Sequence, residues 1–226
     1  MSVLAIAHRG DPVAERENTL PAFAAAVAAG AEMIELDVRR TTDGAAVVVH
    51  DPTLDRLWGV AKRVADLTAG EVRGLGIPDL AEALAAIPED VQVMVDFEER
   101  GVAEPALAAV LEVDALDRCL FSGACYDGHR AIRAAAPRAR IAVTWTSEQP
   151  CPDGLLDDLD AEYWNPNGNL LARHREQVER MHARGTLVSV WTIDQRADMQ
   201  FFLDLGVDAV ITNRIADLVD LLERVC

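Results

Sequence analysis

The residues that could do chemistry in this chain stand where short apolar runs end. Those runs close in His8-Arg9-Gly10, Glu35-Leu36-Asp37, His50-Asp51, Asp96-Phe97-Glu98 and Trp191. If the runs are strands, residues two apart share a face. Glu35 and Asp37 then point one way, and Ile34, Leu36 and Val38 the other. Two close, buried carboxylates repel, and each is costly to desolvate unless it is paired. A divalent cation answers both problems, and carboxylate oxygens select Mg²⁺ or Ca²⁺. A solvated pair of acids at an exposed strand end is the alternative. Asp96, a third acid closing "VMVD", favours the cation. His8 and His50, each ending a run near these acids, could divide the work of general base and general acid near neutral pH. A hydrogen-bonded core histidine is the competing reading for either one alone. His129, His174 and His182 fall in helical segments with arginine neighbours and read as surface residues. Arg9 offers a planar fork to a phosphate and could equally pair with Glu17. Trp191 reads either as the apolar wall of a pocket or as core.

The elements that must position these residues follow from hydrophobic patterning. Nine apolar runs read as strands: 4–7, 33–38, 46–49, 91–97, 119–122, 141–145, 163–165, 187–191 and 209–212. Ala/Leu-rich segments of helical length lie between them, at 21–29, 80–86, 103–112, 128–135, 173–183, 198–205 and 216–224. Such alternation argues for βα units and a parallel sheet, and "VQVMVDF" and "GTLVSVW" have the continuous apolar character of strands buried on both faces. Asp43-Gly44 between two runs signals a hairpin, so 46–49 is the extra strand beside eight others. No glycine-rich phosphate loop supports an open doubly wound sheet. The expectation is therefore an α/β chain, a (β/α)8 barrel with chemistry at the C-terminal strand ends. Thr19 should cap the helix beginning near Pro21, and Gly206 should close the one before the last strand. Arg56–Gly76 is the least periodic stretch and reads as a long loop with a short helix.

Composition bounds the rest. A chain of 226 residues, half of them hydrophobic, can bury a sizeable core without disulfide or metal, as one domain over 1–226. A net charge of −17 makes nucleic acid and anionic membranes poor partners. An anionic substrate would need a metal or a local arginine. The start of the chain reads as a strand rather than a signal peptide, and no apolar run could span a membrane. Cys119, Cys125, Cys151 and Cys226 form no metal-binding pattern and read as reduced thiols of a cytoplasmic protein. A zinc amidohydrolase would need His-x-His at the first strand, where position 6 is Ile6.

Taken together, His8-Arg9-Gly10, Glu17-Asn18-Thr19-Leu20, Glu35-Leu36-Asp37-Val38 and His50-Asp51-Pro52-Thr53-Leu54-Asp55-Arg56 resemble the glycerophosphodiester phosphodiesterase family. "VWTID" (190–194) and "GVDAVITNR" (206–214) resemble that family's last two strands, so the resemblance spans nearly the whole chain. It implies a TIM barrel of the phospholipase C-like phosphodiesterase type. It also implies metal ligation by Glu35, Asp37 and Asp96, acid/base roles for His8 and His50, and Arg9 on the phosphate. Glu17 and Trp191 join Arg9 as expected substrate contacts, and the partner is a small phosphodiester hydrolysed to glycerol 3-phosphate and an alcohol. The family's small inserted domain has little room in the stretch 52–77. Three departures stand out. Glu98 replaces the usual lysine, putting an acid where a cation would face phosphate unless Arg39 compensates. Asp194 replaces an asparagine, and Asn213 an aspartate. Trp-x-x-Asp and Thr-Asn look like the related sphingomyelinase D group, which lacks His-Arg-Gly. A divergent head group, or a barrel that binds a phosphometabolite without turnover, are the alternatives these departures raise.

Overall fold

The computed structural model describes residues 3–225; Met1, Ser2 and Cys226 lie outside them. The strands are β1 (Leu4–His8), β2 (Met33–Arg40), β3 (Ala46–Val48), β4 (Thr53–Leu54), β5 (Val60–Arg63), β6 (Gln92–Asp96), β7 (Cys119–Ser122), β8 (Arg140–Trp145), β9 (Tyr163–Pro166), β10 (Leu187–Val190) and β11 (Ala209–Thr212). The helices are α1 (Leu20–Ala28), α2 (Asp55–Trp58), α3 (Ala69–Arg73), α4 (Leu80–Ala86), α5 (Arg100–Glu112), α6 (Tyr126–Ala135), α7 (Asp153–Leu159), α8 (Gly168–Arg173), α9 (Glu176–Ala183), α10 (Arg196–Leu205) and α11 (Ile215–Val225). Strands β1, β2 and β6–β11 pair in parallel, and the β1–β2 pairing closes them into an eight-stranded (β/α)8 barrel. β3 folds back antiparallel on β2, with Val38 opposite Val48, as the Asp43-Gly44 turn predicts.

Strand alternation divides the core into two layers. Ile34, Leu36 and Val38 face outward and pack under Phe23, Leu84 and Val110 between barrel and helices. Ile6, Met33, Met94, Leu120, Tyr163 and Ile211 face inward and plug the barrel. Two residues further along the same strands, on the same inward face, stand His8, Glu35, Asp96, Ser122, Asn165 and Asn213. The apolar plug is thus a floor, and a polar layer lies on it at the C-terminal end.

Thr19 caps α1 by accepting from Ala22 N, and Gly206 closes α10, as predicted. Two stretches depart from expectation. The stretch 56–76 holds the expected short helix as α3, with a capping box of Thr68 and Glu71, but it also carries β5, which pairs with β4 just before it. Val47, Val49, Leu54, Val64, Val72 and Ile77 give this excursion a small core of its own. The predicted helix at 173–183 is also broken. α8 ends at Arg173 and α9 begins at Glu176, while α7 and most of α8 fall where no helix is expected.

Candidate active site

Seven of the predicted residues line one cavity of about 100 Å³: His8, Arg9, Glu35, Asp37, His50, Asp96 and Trp191. Trp191 closes its far side with Thr144 and Asn165. On the other side of Trp191 a groove of about 500 Å³ opens, with Asn167, Arg175 and Phe201 among its walls.

The acids are placed by strand register. β2 and β6 set Asp37 opposite Asp96, and β1 sets His8 opposite Glu35. Each acid has one oxygen held by the protein. Arg9 N donates to Glu35 Oε2 (2.9 Å), Asn18 Nδ2 to Asp37 Oδ2 (2.8 Å) and Ser122 Oγ to Asp96 Oδ2 (2.5 Å). The second oxygens, Glu35 Oε1, Asp37 Oδ1 and Asp96 Oδ1, accept no hydrogen bond from the described residues. Burial, then the nearby Asp37 and Asp96, push the Glu35 carboxyl well above the usual range. Burial and Asp37 push Asp96 up to about 7. Free oxygens and mutual repulsion suit a hard cation in donor type and charge. As the side chains stand, no three His, Cys, Asp or Glu groups among the described residues are close enough to hold a metal ion. This is a donor set rather than a closed cage.

The two imidazoles are held by different partners. His8 Nδ1 lies 2.7 Å from Asn213 Oδ1. The Asn213 amide is turned by Asp194, whose carboxylate accepts from Asn213 Nδ2 (2.8 Å) and Asn213 N (2.9 Å). A carboxylate only accepts, so the amide oxygen must face His8, and the neutral ring must carry its hydrogen on Nδ1. Nε2 is left as an acceptor, 3.9 Å from Glu35 Oε2. Burial and the adjacent Arg9 charge lower the His8 pKa. His50 Nδ1 instead meets Asp51 Oδ1 at 2.7 Å. Arg56 on the other Asp51 oxygen, and then the His50 contact, hold that carboxyl down at about 2. Asp51 is thus an anion held against the His50 ring.

The loop after β1 is strained to suit this arrangement. Arg9 and Asn18 both adopt positive φ, 61° and 58°, and both contact Asp37. Gly10 (φ 81°) lies against α1, where an added Cβ would meet the Ala22 carbonyl carbon at 2.7 Å. Arg9 Nε stands 3.1 Å from Asp37 Oδ2 in an ion-pair contact without hydrogen-bond geometry.

Three expectations are corrected. Glu17 does not line the cavity. It sits behind Arg9, accepting from Arg9 Nη1 (2.9 Å) and from both Arg56 Nη atoms (2.6 and 3.1 Å). Burial works against its charge, but the two guanidiniums hold its pKa below the usual range. Glu98 does not face the cavity either. It is 62% exposed and pairs with Arg39 (3.0 Å), which also binds Glu99 (2.9 Å) and donates from Nε to the His50 carbonyl (2.8 Å). Arg39 does share the Glu35/Asp37 face, and its work is to anchor the His50 segment. His129 is not a surface residue: it is fully buried against the Phe97 ring, 4.9 Å between centroids. Its ring faces the Ser122 backbone without a hydrogen bond, and burial lowers its pKa to about 4. The sequence alone does not single out Asn18, Arg56, Ser122, Thr144 and Asn165 as site residues. Ser122, Thr144 and Asn165 had a signal, each being polar two positions beyond an inward apolar residue.

The closed parallel barrel and the site at its C-terminal rim define an α/β-barrel hydrolase acting on phosphodiesters. The chain belongs to the glycerophosphoryl diester phosphodiesterase family, whose pattern it matches over residues 8–217. It is 30% identical to a glycerophosphodiester phosphodiesterase of Caldanaerobacter subterraneus subsp. tengcongensis, covering 99% of both chains. The crystal structure of the Thermotoga maritima glycerophosphodiester phosphodiesterase superposes with a TM-score of 0.84 at 25% identity, covering 98% of this chain and 99% of that one. An Oleispira antarctica phosphodiesterase, solved in complex with the product sn-glycerol-3-phosphate, has a TM-score of 0.87 at 22% identity, covering 98% and 97%.

Proposed function

We propose that this protein hydrolyses glycerophosphodiesters to glycerol 3-phosphate and an alcohol, with His8 as general base and His50 as general acid. The observation that carries the reading is the opposed support of two rings facing one cavity. A neutral amide fixes the His8 Nε2 lone pair toward the cavity; a carboxylate backs His50. One ring is set to take a proton and the other to keep one until the alcohol leaves. Arg9, gripped by Glu17 and Asp37, presents positive charge to the phosphate. Glu35, Asp37 and Asp96 would hold a divalent cation, Mg²⁺ or Ca²⁺, which when bound would neutralise charge growing on the phosphate oxygens. Glu98, turned out to Arg39, adds no repulsion from the cavity wall, which favours turnover over a binding-only barrel.

The test is a panel of glycerophosphodiesters assayed after chelation and again with Mg²⁺ or Ca²⁺ restored. Release of glycerol 3-phosphate that needs the cation is expected. His8→Ala and His50→Ala should each lower kcat by at least about 10²-fold. Full activity in excess EDTA would remove the cation from the reading, and wild-type turnover in either variant would remove that histidine.

A further inference from the structure

The cavity wall opposite the acids carries hydrogen-bond donors that the protein does not use. Thr144 Oγ1 accepts from Gly123 N (3.1 Å) and from Asn165 Nδ2 (3.2 Å), and Asn165 Oδ1 accepts from Ser189 Oγ (2.8 Å). Both acceptor positions of the threonine hydroxyl are filled, so its hydrogen must be donated elsewhere. Asn165 Nδ2 has a second hydrogen. Neither finds an acceptor among the described residues. With the amide turned this way, Thr144, Asn165 and Ser189 bring four hydrogens to two mutual bonds, and the two left over are those on Thr144 Oγ1 and Asn165 Nδ2. Thr144 and Asn165 are 9% and 3% exposed, and both line the cavity. Buried donors without acceptors are costly and rare.

The arrangement is held from behind. Trp191 Nε1 donates to the Asn165 carbonyl (3.0 Å). Gly123, the donor behind Thr144, has φ 121°, and a Cβ there would lie 2.1 Å from the Phe97 carbonyl oxygen. The cavity these donors line is small, about 100 Å³.

We infer that Thr144 and Asn165 recognise the hydroxyl oxygens of the glycerol moiety and so set the substrate's orientation, its phosphate toward Arg9 and the acids and its leaving alcohol outward past Trp191. This rests on the glycerophosphodiester reading. Binding of sn-glycerol 3-phosphate and of methyl phosphate, measured by calorimetry with Mg²⁺ present, tests it in wild type, Thr144→Val, Thr144→Ser and Asn165→Ala. Wild type should prefer glycerol 3-phosphate. Thr144→Val and Asn165→Ala should weaken it about tenfold while methyl phosphate changes less than about twofold, and Thr144→Ser should retain the preference. In turnover of a glycerophosphodiester, the same variants should raise KM more than they lower kcat. Equal losses for both phosphates, or no preference in wild type, would overturn the assignment. If Thr144→Val does not fold, Asn165→Ala, which removes the amide donors without adding charge, decides. A wild type that binds glycerol 3-phosphate selectively through these residues yet cleaves no glycerophosphodiester would sink the proposed reaction and leave this recognition standing.

Discussion

Two imidazoles of one chemical type become different reagents through their neighbours. Asp194 sets the Asn213 amide, and the amide sets the hydrogen on His8. Asp194→Asn removes the rule that orients the amide, because an asparagine can both donate and accept. That variant should lose about 10²-fold in kcat, with KM changed far less and the fold intact by circular dichroism. An undiminished kcat would show that His8 does not depend on this tautomer. Glu98 makes the opposite kind of prediction. Restoring a lysine there places a second cation beside Arg39, which holds the His50 carbonyl. Glu98→Lys should therefore lower kcat/KM a few-fold. A gain in activity would mean that residue 98 reaches the phosphate, contrary to its outward position.

At the scale of elements, the site depends on segments that contribute no chemistry. The excursion 52–77 delivers Arg56 to Asp51 and Glu17, and so supports both His50 and Arg9. Its small core is anchored by Leu54, fully buried. Leu54→Ala should cost about 2–5 kcal/mol, read by urea denaturation, and reduce activity at temperatures where the fold persists. Unchanged activity with the stability loss present would show that Arg56 keeps its place without this anchor. The barrel strands are legible because each is a short, largely apolar run between helices. The acids and histidines were legible because each ends such a run. The excursion was not, since a two-residue strand carries no period; its clearest trace was the pair Thr68 and Glu71 at capping-box spacing. α7 is Asp-rich and only seven residues long, too short for a helical stripe to emerge. His129 was misjudged because Arg130 and Arg133 beside it suggest a solvent face. The buried stripe of α6 runs through His129 and Ile132 to the cap residue Ala136, and a histidine on it is hidden by its polarity. Glu98 showed the same limit from the other side: its type was plain, but which way it turned depended on Arg39, a contact distant in sequence.

For the whole molecule, that misplaced histidine gives stability a pH dependence that can be isolated. The folded state holds His129 neutral down to about pH 4, whereas an unfolded chain would protonate it near 6.5. Between those values the unfolded state binds more protons, so stability rises with pH across the window and falls on acidification. The contribution is complete above about pH 6.5 and lost as pH drops through 4. At about 1.4 kcal/mol per unit it amounts to something on the order of 3 kcal/mol. Asp96 works in the reverse direction. Its raised folded pKa, about 7, means the folded state binds the extra proton between the usual carboxylate range and 7. Stability from that group grows as pH falls, so the two dependences partly mask each other in the wild type. Comparison with His129→Leu separates them, because Asp96 is common to both proteins. The difference in unfolding free energy, variant minus wild type, should increase steadily from pH 6.5 to pH 4 and be flat above it. Parallel stability curves over that range would mean that the ring finds a proton acceptor in the core, for which the Ser122 backbone it faces is the nearest source.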